Sequence, residues 1–461
     1  MTKAQIKNPP LGWNSFDSYG CHIYEALCMK ELEAMIEKFV PCGYEYFVID
    51  NGWFSEQELL HVDGLKIPRV QHAEPEHVVI DEYGIVQPSN CFFPNGFRPL
   101  VDACKANGLK FGVHLMRGIP RIAVERNTPI KGTPYHAADI ADINDTCSWC
   151  PYMYGIDMTK AGAQEYLNSV FEQFAQWGIE FVKVDDVSHR PAEIEGYINA
   201  VEKASAPICL SLSPGGNCNK RFLEIYRKTN MSRITKDIWD DQEDIDISFE
   251  AWKSWQGLET DDYYPDLDMI PFGELCILKR EQNRGIAGKA AFSGKALHRI
   301  CRFTEAQKET FITQRAMAAS PLMIGGSMHS MDPHSIRLLT HPEMLACNQN
   351  GVMGRLVKNN RQDGMEIYVT PEKKKDKTGF QRYLGVDRGW LGLFNRTDQP
   401  NSVSLGQFQL GLKRNFDAEE SDTYILWDIW RGGEIEIAPG AKLDTEIPPH
   451  GVAFYRFEKK V

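Results

Sequence analysis

The sequence predicts an α/β chain, a (β/α)8 barrel (TIM barrel) joined to a C-terminal antiparallel β-sandwich, and three features point there. Short β-branched and aromatic runs alternate eight times with apolar residues at helical spacing across residues 1–350. Several of these runs end in a carboxylate, the position at which parallel α/β sheets meet their ligands. Beyond residue 350 the spacing changes to short alternating strands divided by turn residues, so residues 351–461 read as a second domain.

In chain order, Leu11-Gly-Trp13-Asn-Ser-Phe16 opens the first strand behind Pro9-Pro10. Glu25 to Phe39 follows as a helix, with Leu27, Leu32, Met35, Ile36 and Phe39 on one stripe and Gly43 ending it. Tyr44 to Asn51 is the second strand and finishes in Asp50 and Asn51. A polar insertion from Phe54 to about Phe93 is long enough to be a functional loop. After a helix from Pro99 to Asn107, Gly108 to Arg117 gives the third strand, carrying His114 and Arg117 near its end. Thr159 to Trp177 is helical and leads into Gly178-Ile-Glu-Phe-Val-Lys183-Val-Asp185-Asp186, a buried strand that stops at two carboxylates. Pro207 to Ser213 is the fifth strand, with a glycine-rich exit at 214–216, and Met231 to Asp237 the sixth. Tyr264 to Ile270, with Asp266 and Asp268, is the seventh; a helix from Glu305 to Ala318 precedes the eighth, Ser320 to Gly325. The second domain shows strands near Met365, Trp390, Ser402, Tyr424 and Gly451.

Composition narrows the function classes. A net charge of -12 argues against a nucleic-acid partner or an anionic membrane, since both call for basic patches. No run approaches about 20 apolar residues, and the first residues lack the apolar core of a signal peptide. A cytoplasmic location is expected, or a secreted or periplasmic one if a signal has been removed. The twelve cysteines are scattered, and Cys104, Cys209, Cys301 and Cys347 fall in apolar patterns, which suits reduced thiols. Cys147-Ser-Trp-Cys150 has no companion pair at zinc-finger spacing, so neither metal nor cofactor is expected.

The strand ends bring Asp50, Asp185, Asp237, Asp266 and Asp268 to one face, an acid-lined pocket. Such a face serves metal-dependent chemistry, in which carboxylates share a cation, or glycoside hydrolysis, in which two carboxyls flank the scissile bond. Trp13, Phe16, Trp53, Trp149 and Tyr152 offer flat apolar surfaces, and Lys183 and Arg233 offer fixed positive charge beside two of the acids. Resident cations make a metal redundant and favour an ionised carboxylate, which a nucleophile needs.

These residues resemble glycoside hydrolase family 27, the α-galactosidases and α-N-acetylgalactosaminidases, across almost the whole chain. Pro10-Leu-Gly-Trp-Asn-Ser-Phe is similar to the family's PPMGWNSW, Tyr46-Phe-Val-Ile-Asp-Asn-Gly-Trp to YVNIDDCW, and Phe181-Val-Lys-Val-Asp185 to the LLKYDNC strand that carries the nucleophile. Arg233-Ile-Thr-Lys-Asp237-Ile resembles the RxxxDI stretch of the general acid/base, and Asp266-Leu-Asp-Met and Met317-Ala-Ala-Ser-Pro-Leu-Met-Ile-Gly also agree in order. The resemblance implies a retaining hydrolase of an oligosaccharide or glycoconjugate, with Asp185 as nucleophile and Asp237 as acid/base. Lys183, Arg233 and Asp50 would hold sugar hydroxyls and Trp13 would wall the pocket, while Asp266 and Asp268 would brace the barrel mouth.

Departures from the pattern bear on the substrate. Asn51 stands where the family has a second acid, and Ser211-Leu-Ser213-Pro replaces the bulkier stretch facing C2 of the sugar, leaving room for a larger substituent. His114 and Arg117 also differ, and Arg117 is a candidate for an anionic substituent, the alternative being an arginine paired with one of the many nearby acids. Cys21 has Gly52 in place of its family bridging partner, and Val187 replaces a cysteine. The expectation is an α-galactosidase-like enzyme; an α-N-acetylgalactosaminidase, a β-L-arabinopyranosidase and a carbohydrate-binding barrel without turnover are the alternatives. A homo-oligomer stays open.

Overall fold

The computed structural model describes residues 3–68, 74–213, 218–279, 297–360, 363–373, 387–412 and 422–460, so the glycine-rich exit expected at 214–216 lies outside the described residues. Eight strands form one curled, all-parallel sheet: β1 (Leu11–Asn14), β2 (Tyr46–Ile49), β3 (Lys110–Met116), β4 (Phe181–Asp185), β5 (Cys209–Leu212), β6 (Met231–Arg233), β7 (Tyr264–Asp266) and β8 (Leu322–Ile324). Neighbours follow chain order from β1 to β7, and β8 lies beside β1. An isolated parallel bridge joins Ile270, just past β7, to Ile324: Ile270 N–H donates to the Met323 carbonyl (2.8 Å), and Gly325 N–H to that of Ile270 (2.9 Å).

The two-residue period of a strand sorts the side chains onto two faces. Leu11, Trp13, Phe47, Ile49, Phe111, Val113, Val182 and Val184 point outward into a continuous apolar layer shared with the surrounding helices. Tyr46, Phe181, Cys209, Met231, Tyr264 and Met323 fill the base of the inner face. Gly12 permits the approach of β1 to β2, because a Cβ there would lie 2.5 Å from the Tyr46 carbonyl oxygen. Two residues further along, the same inner face turns polar: Asn14, Lys183, Ser211, Arg233 and Asp266 line a cavity above the apolar base. The sequence thus places carbon at one end of the curl and hydrogen-bonding groups at the carboxyl ends of the strands.

Insertions follow those carboxyl ends and add to the same rim. A hairpin of Leu59–Val62 and Leu65–Pro68 follows β2. Strands Ile119–Pro120, Ala141–Thr146 and Met153–Ile156 make a small antiparallel sheet after β3, and Glu274–Leu275 pairs with Arg299–Ile300 after β7.

The C-terminal region is antiparallel. Strands β9 (Arg355–Asn360), β10 (Met365–Pro371), β11 (Arg388–Asn395), β13 (Tyr424–Asp428), β14 (Glu434–Ile437) and β16 (Val452–Lys459) form a six-stranded sheet, while β12 (Asn401–Gly406) pairs with β15 (Lys442–Ile447). One apolar cluster, including Ile367, Leu391, Leu426, Leu443 and Ile447, draws on both sheets. This region is fixed to helices of the first: Trp252 stacks on Tyr368 with ring centroids 3.9 Å apart, and Trp430 Nε1 donates to Thr313 Oγ1 (2.9 Å). No described helix is long and apolar enough to cross a membrane.

Candidate active site

The carboxyl end of β4 is the centre of the polar layer. Asp185 is buried, with Oδ1 accepting the Asp186 N–H (2.9 Å) and Oδ2 facing His114 Nε2 (3.3 Å). Burial alone would raise its pKa; the His114 hydrogen bond and the charges of Lys183, His114 and Arg233 outweigh burial and hold it below the ordinary carboxylate value. Lys183, one inward position earlier, pairs with Asp50 (2.9 Å). Asp50 also accepts from Asn14 Nδ2 (2.9 Å) and the Asn51 N–H (2.9 Å). Burial opposes its ionisation, but Lys183, His114 and the Asn51 amide keep it well below the usual range. Burial would likewise lower Lys183, and Asp50 and Asp185 instead raise it, so the pair stays charged.

Beyond β6 the pattern repeats with Arg233. Its Nη1 donates to Asp237 Oδ1 (2.5 Å) and to Asp268 Oδ2 (3.1 Å), and its charge is felt at Asp185. Asp268 Oδ2 also accepts the Ile238 N–H (2.8 Å), so it steadies both the guanidinium and the backbone beside Asp237. The Asp237 side chain is 59% exposed, while that of Asp268 is buried. The two carboxylates that the resemblance singles out therefore differ: one is enclosed among cations, the other is open to solvent.

Asn51 is buried, and its side-chain oxygen accepts from Tyr152 OH. Ser211 lines the cavity between Lys183 and Arg233.

Two expectations are corrected. Trp13 does not wall the pocket: it lies on the outward face of β1, fully buried, stacked on Phe47 at 4.8 Å and donating Nε1 to the Gly326 carbonyl (3.0 Å). Its position is set by parity, since Gly12 and Asn14 occupy the inward places. Aromatic rings near the site are Phe181, which lines the cavity, and Phe16, over which Lys183 Nζ lies 6.0 Å from the centroid, with Trp239 beyond it at 6.5 Å. Arg117 does not present its charge to a substrate anion. It is 2% exposed and committed to Asp186, Asp145 and Glu193 at 2.7 to 3.1 Å. A guanidinium already neutralised by three carboxylates has little attraction left for a further anion.

The strand pattern also passes over several groups. Asn14 is an inward-facing donor to Asp50 that period two could have found. Asp17 could not be found that way, because it follows the first strand on the short helix Phe16–Tyr19. Burial and the neighbouring Asp268 raise its pKa well above the ordinary value, and it lies against Gly325, where a Cβ would come within 2.0 Å of Oδ2. All twelve cysteines are free thiols.

Asp266 supplies a pH test. Burial, reinforced by Asp268, raises its pKa to about 7. Because the folded value exceeds the unfolded one of about 3.9, folding favours the protonated acid; that contribution is complete below about pH 4 and is lost as pH climbs toward about 7. Asp266→Asn, which keeps the group neutral, is expected to gain Tm relative to the parent protein as pH rises over this window. A Tm difference that stays constant with pH would contradict this.

No protein-family model matches the chain. Solved structures and curated proteins do. A GH27 β-L-arabinopyranosidase from Geobacillus stearothermophilus is 32% identical, with a TM-score of 0.84 over 98% of this chain and 96% of that one. A solved protein of Bacillus halodurans C-125 is 29% identical with a TM-score of 0.79, over 99% of this chain and all of the other. α-Galactosidase A of Cellvibrio japonicus is 23% identical over 98% of this chain and 93% of its own. The agreement with the Geobacillus enzyme takes in both the curled parallel sheet and the antiparallel region, and the chain belongs to glycoside hydrolase family 27, as a hydrolase of O-glycosyl bonds.

Proposed function

We propose that this enzyme is a retaining, exo-acting α-glycosidase that removes a terminal galacto-configured sugar by double displacement. Asp185 attacks the anomeric carbon while Asp237 passes its proton to the departing oxygen; Asp237 then takes a proton from water, which attacks the same carbon and expels Asp185. The observation that carries this reading is the contrast between the two acids. Asp185 is buried yet held in its ionised form by Lys183, His114 and Arg233, as a nucleophile must be. Asp237 stands at the solvent side, where a leaving group departs and water arrives. Arg233 orients Asp237 and is itself held by Asp268.

Asp50 and Lys183 form a charged donor and acceptor pair for ring hydroxyls, with Asn51, His114, Ser211 and Arg233 completing the wall. We read the curled sheet as a closed (β/α)8 barrel spanning residues 1–350, and residues 351–461 as a β-sandwich. The free thiols fit a reducing, cytoplasmic setting.

A β-L-arabinopyranoside is the second reading, favoured by the likeness to the Geobacillus enzyme and by Asn51. It shares the ring configuration of an α-galactoside and lacks only the C5 hydroxymethyl group. Initial rates on aryl α-galactoside, β-L-arabinopyranoside and α-N-acetylgalactosaminide test the proposal. An α-galactosidase gives its highest kcat/KM on the first, with α-galactose as the first-formed anomer by proton NMR. Faster turnover of the arabinoside selects the second reading, and β-galactose as first product would rule out retention.

A further inference from the structure

Arg117 is buried, fixed at four contacts, and without a part in the reaction so far described. It touches the end of β4 twice. Its backbone N–H donates to the Asp185 carbonyl (3.1 Å), and its Nε donates to Asp186 Oδ2 (3.0 Å). Asp186 has φ of 58°, a left-handed conformation that L-residues seldom adopt. The Asp186 N–H donates to Asp185 Oδ1 (2.9 Å).

We propose that Arg117 is a positioning residue for the nucleophile: by tethering Asp186 in its left-handed conformation, it keeps the Asp186 N–H aimed at the Asp185 carboxylate. The inference rests on the reading of Asp185 as nucleophile. A tether must itself be anchored, and this one is. Arg117 Nη1 donates to Asp145 Oδ2 and Glu193 Oε1 (both 3.1 Å), and Nη2 to Asp145 Oδ1 (2.7 Å). Arg190 grips the same Asp145 at 2.8 and 3.0 Å, so the planar fork has no freedom to turn. Three stretches of chain, at Arg117, at Asp145 and across residues 186–193, thereby converge on one backbone angle beside the reacting carboxylate. Without the tether Asp186 relaxes toward negative φ, its N–H swings away, and Asp185 loses one of its two fixed contacts.

A lysine keeps the charge but, as a single point, cannot span Asp186 and the Asp145–Glu193 pair. Glycine adopts positive φ without a tether. The test is a cycle of Arg117→Lys, Asp186→Gly and the double variant. Its readouts are kcat and KM on an aryl galactoside, Tm, and the rate at which a fluorinated galactosyl fluoride labels Asp185. Arg117→Lys is expected to slow labelling and kcat by about 30-fold, with KM within about 3-fold, because orientation of the nucleophile is lost while sugar contacts remain. In the Asp186→Gly background the same substitution is expected to cost less than about 3-fold, since the conformation no longer needs holding. Labelling at the parental rate in Arg117→Lys, an equal loss in both backgrounds, or a loss confined to KM would overturn the proposal. If Arg117→Lys does not fold, Asp186→Val compared with Asp186→Gly decides: β-branched valine resists positive φ and should label at least about 10-fold more slowly, and equal rates would overturn it. Should the label in the parent enzyme map to a residue other than Asp185, the catalytic reading fails instead, and this arm reports that separately.

Discussion

Asp185→Gly is expected to lower kcat/KM on an aryl α-galactoside by about 10⁴-fold or more, because no other group can take the bond to the anomeric carbon. The structure makes this loss specific. Lys183 remains paired to Asp50, and Arg233 to Asp237 and Asp268, so the rest of the site keeps its charge balance. The missing carboxylate leaves space flanked by cations, into which azide should enter. Attack from that side displaces the aglycone once, so the rescued product is the β-galactosyl azide, of inverted configuration. Hydrolysis at the parental rate by Asp185→Gly, or an azide product of α configuration, would remove Asp185 from its assigned role.

Asp237→Ala is expected to respond to the leaving group. For a sugar aglycone, whose oxygen must be protonated to depart, a loss of about 10³-fold follows from the removal of general acid catalysis. For a dinitrophenyl galactoside, which departs as an anion unaided, glycosylation should survive nearly intact and deglycosylation should become limiting. Azide then attacks the covalent intermediate, and two inversions yield the α-galactosyl azide. The opposite stereochemistry of the two rescues separates the roles of the two carboxylates within one pair of experiments. An equal loss on both substrates would contradict the assignment of Asp237.

Much of this site was legible in the sequence because a strand has only two faces. Lys183 and Asp185 fall on one side of β4 by alternation, and the same rule turns Ser211 and Arg233 inward on their strands. The antiparallel region was legible for the same reason, with changed spacing and turns. Trp13 shows where resemblance and parity part: a motif marks a neighbourhood, whereas parity decides the direction, and it gives the inward place to Asn14. Arg117 posed a different difficulty. Its partners Asp145, Asp186 and Glu193 lie 28, 69 and 76 residues away, and no local pattern tells an arginine that meets substrate from one consumed by distant acids. Asp17 escaped because it sits on a helical turn, where the strand period no longer applies.

Double displacement on Asp185 requires a covalent bond between the sugar and that carboxylate. Incubating the enzyme with a fluorinated galactosyl fluoride, digesting it and sequencing the modified peptide by mass spectrometry asks this directly. One added glycosyl group is expected, located on Asp185 and absent from the Asp185→Gly variant. Modification of any other residue, or turnover of the reagent with no adduct and β-galactose as the first product, would contradict it.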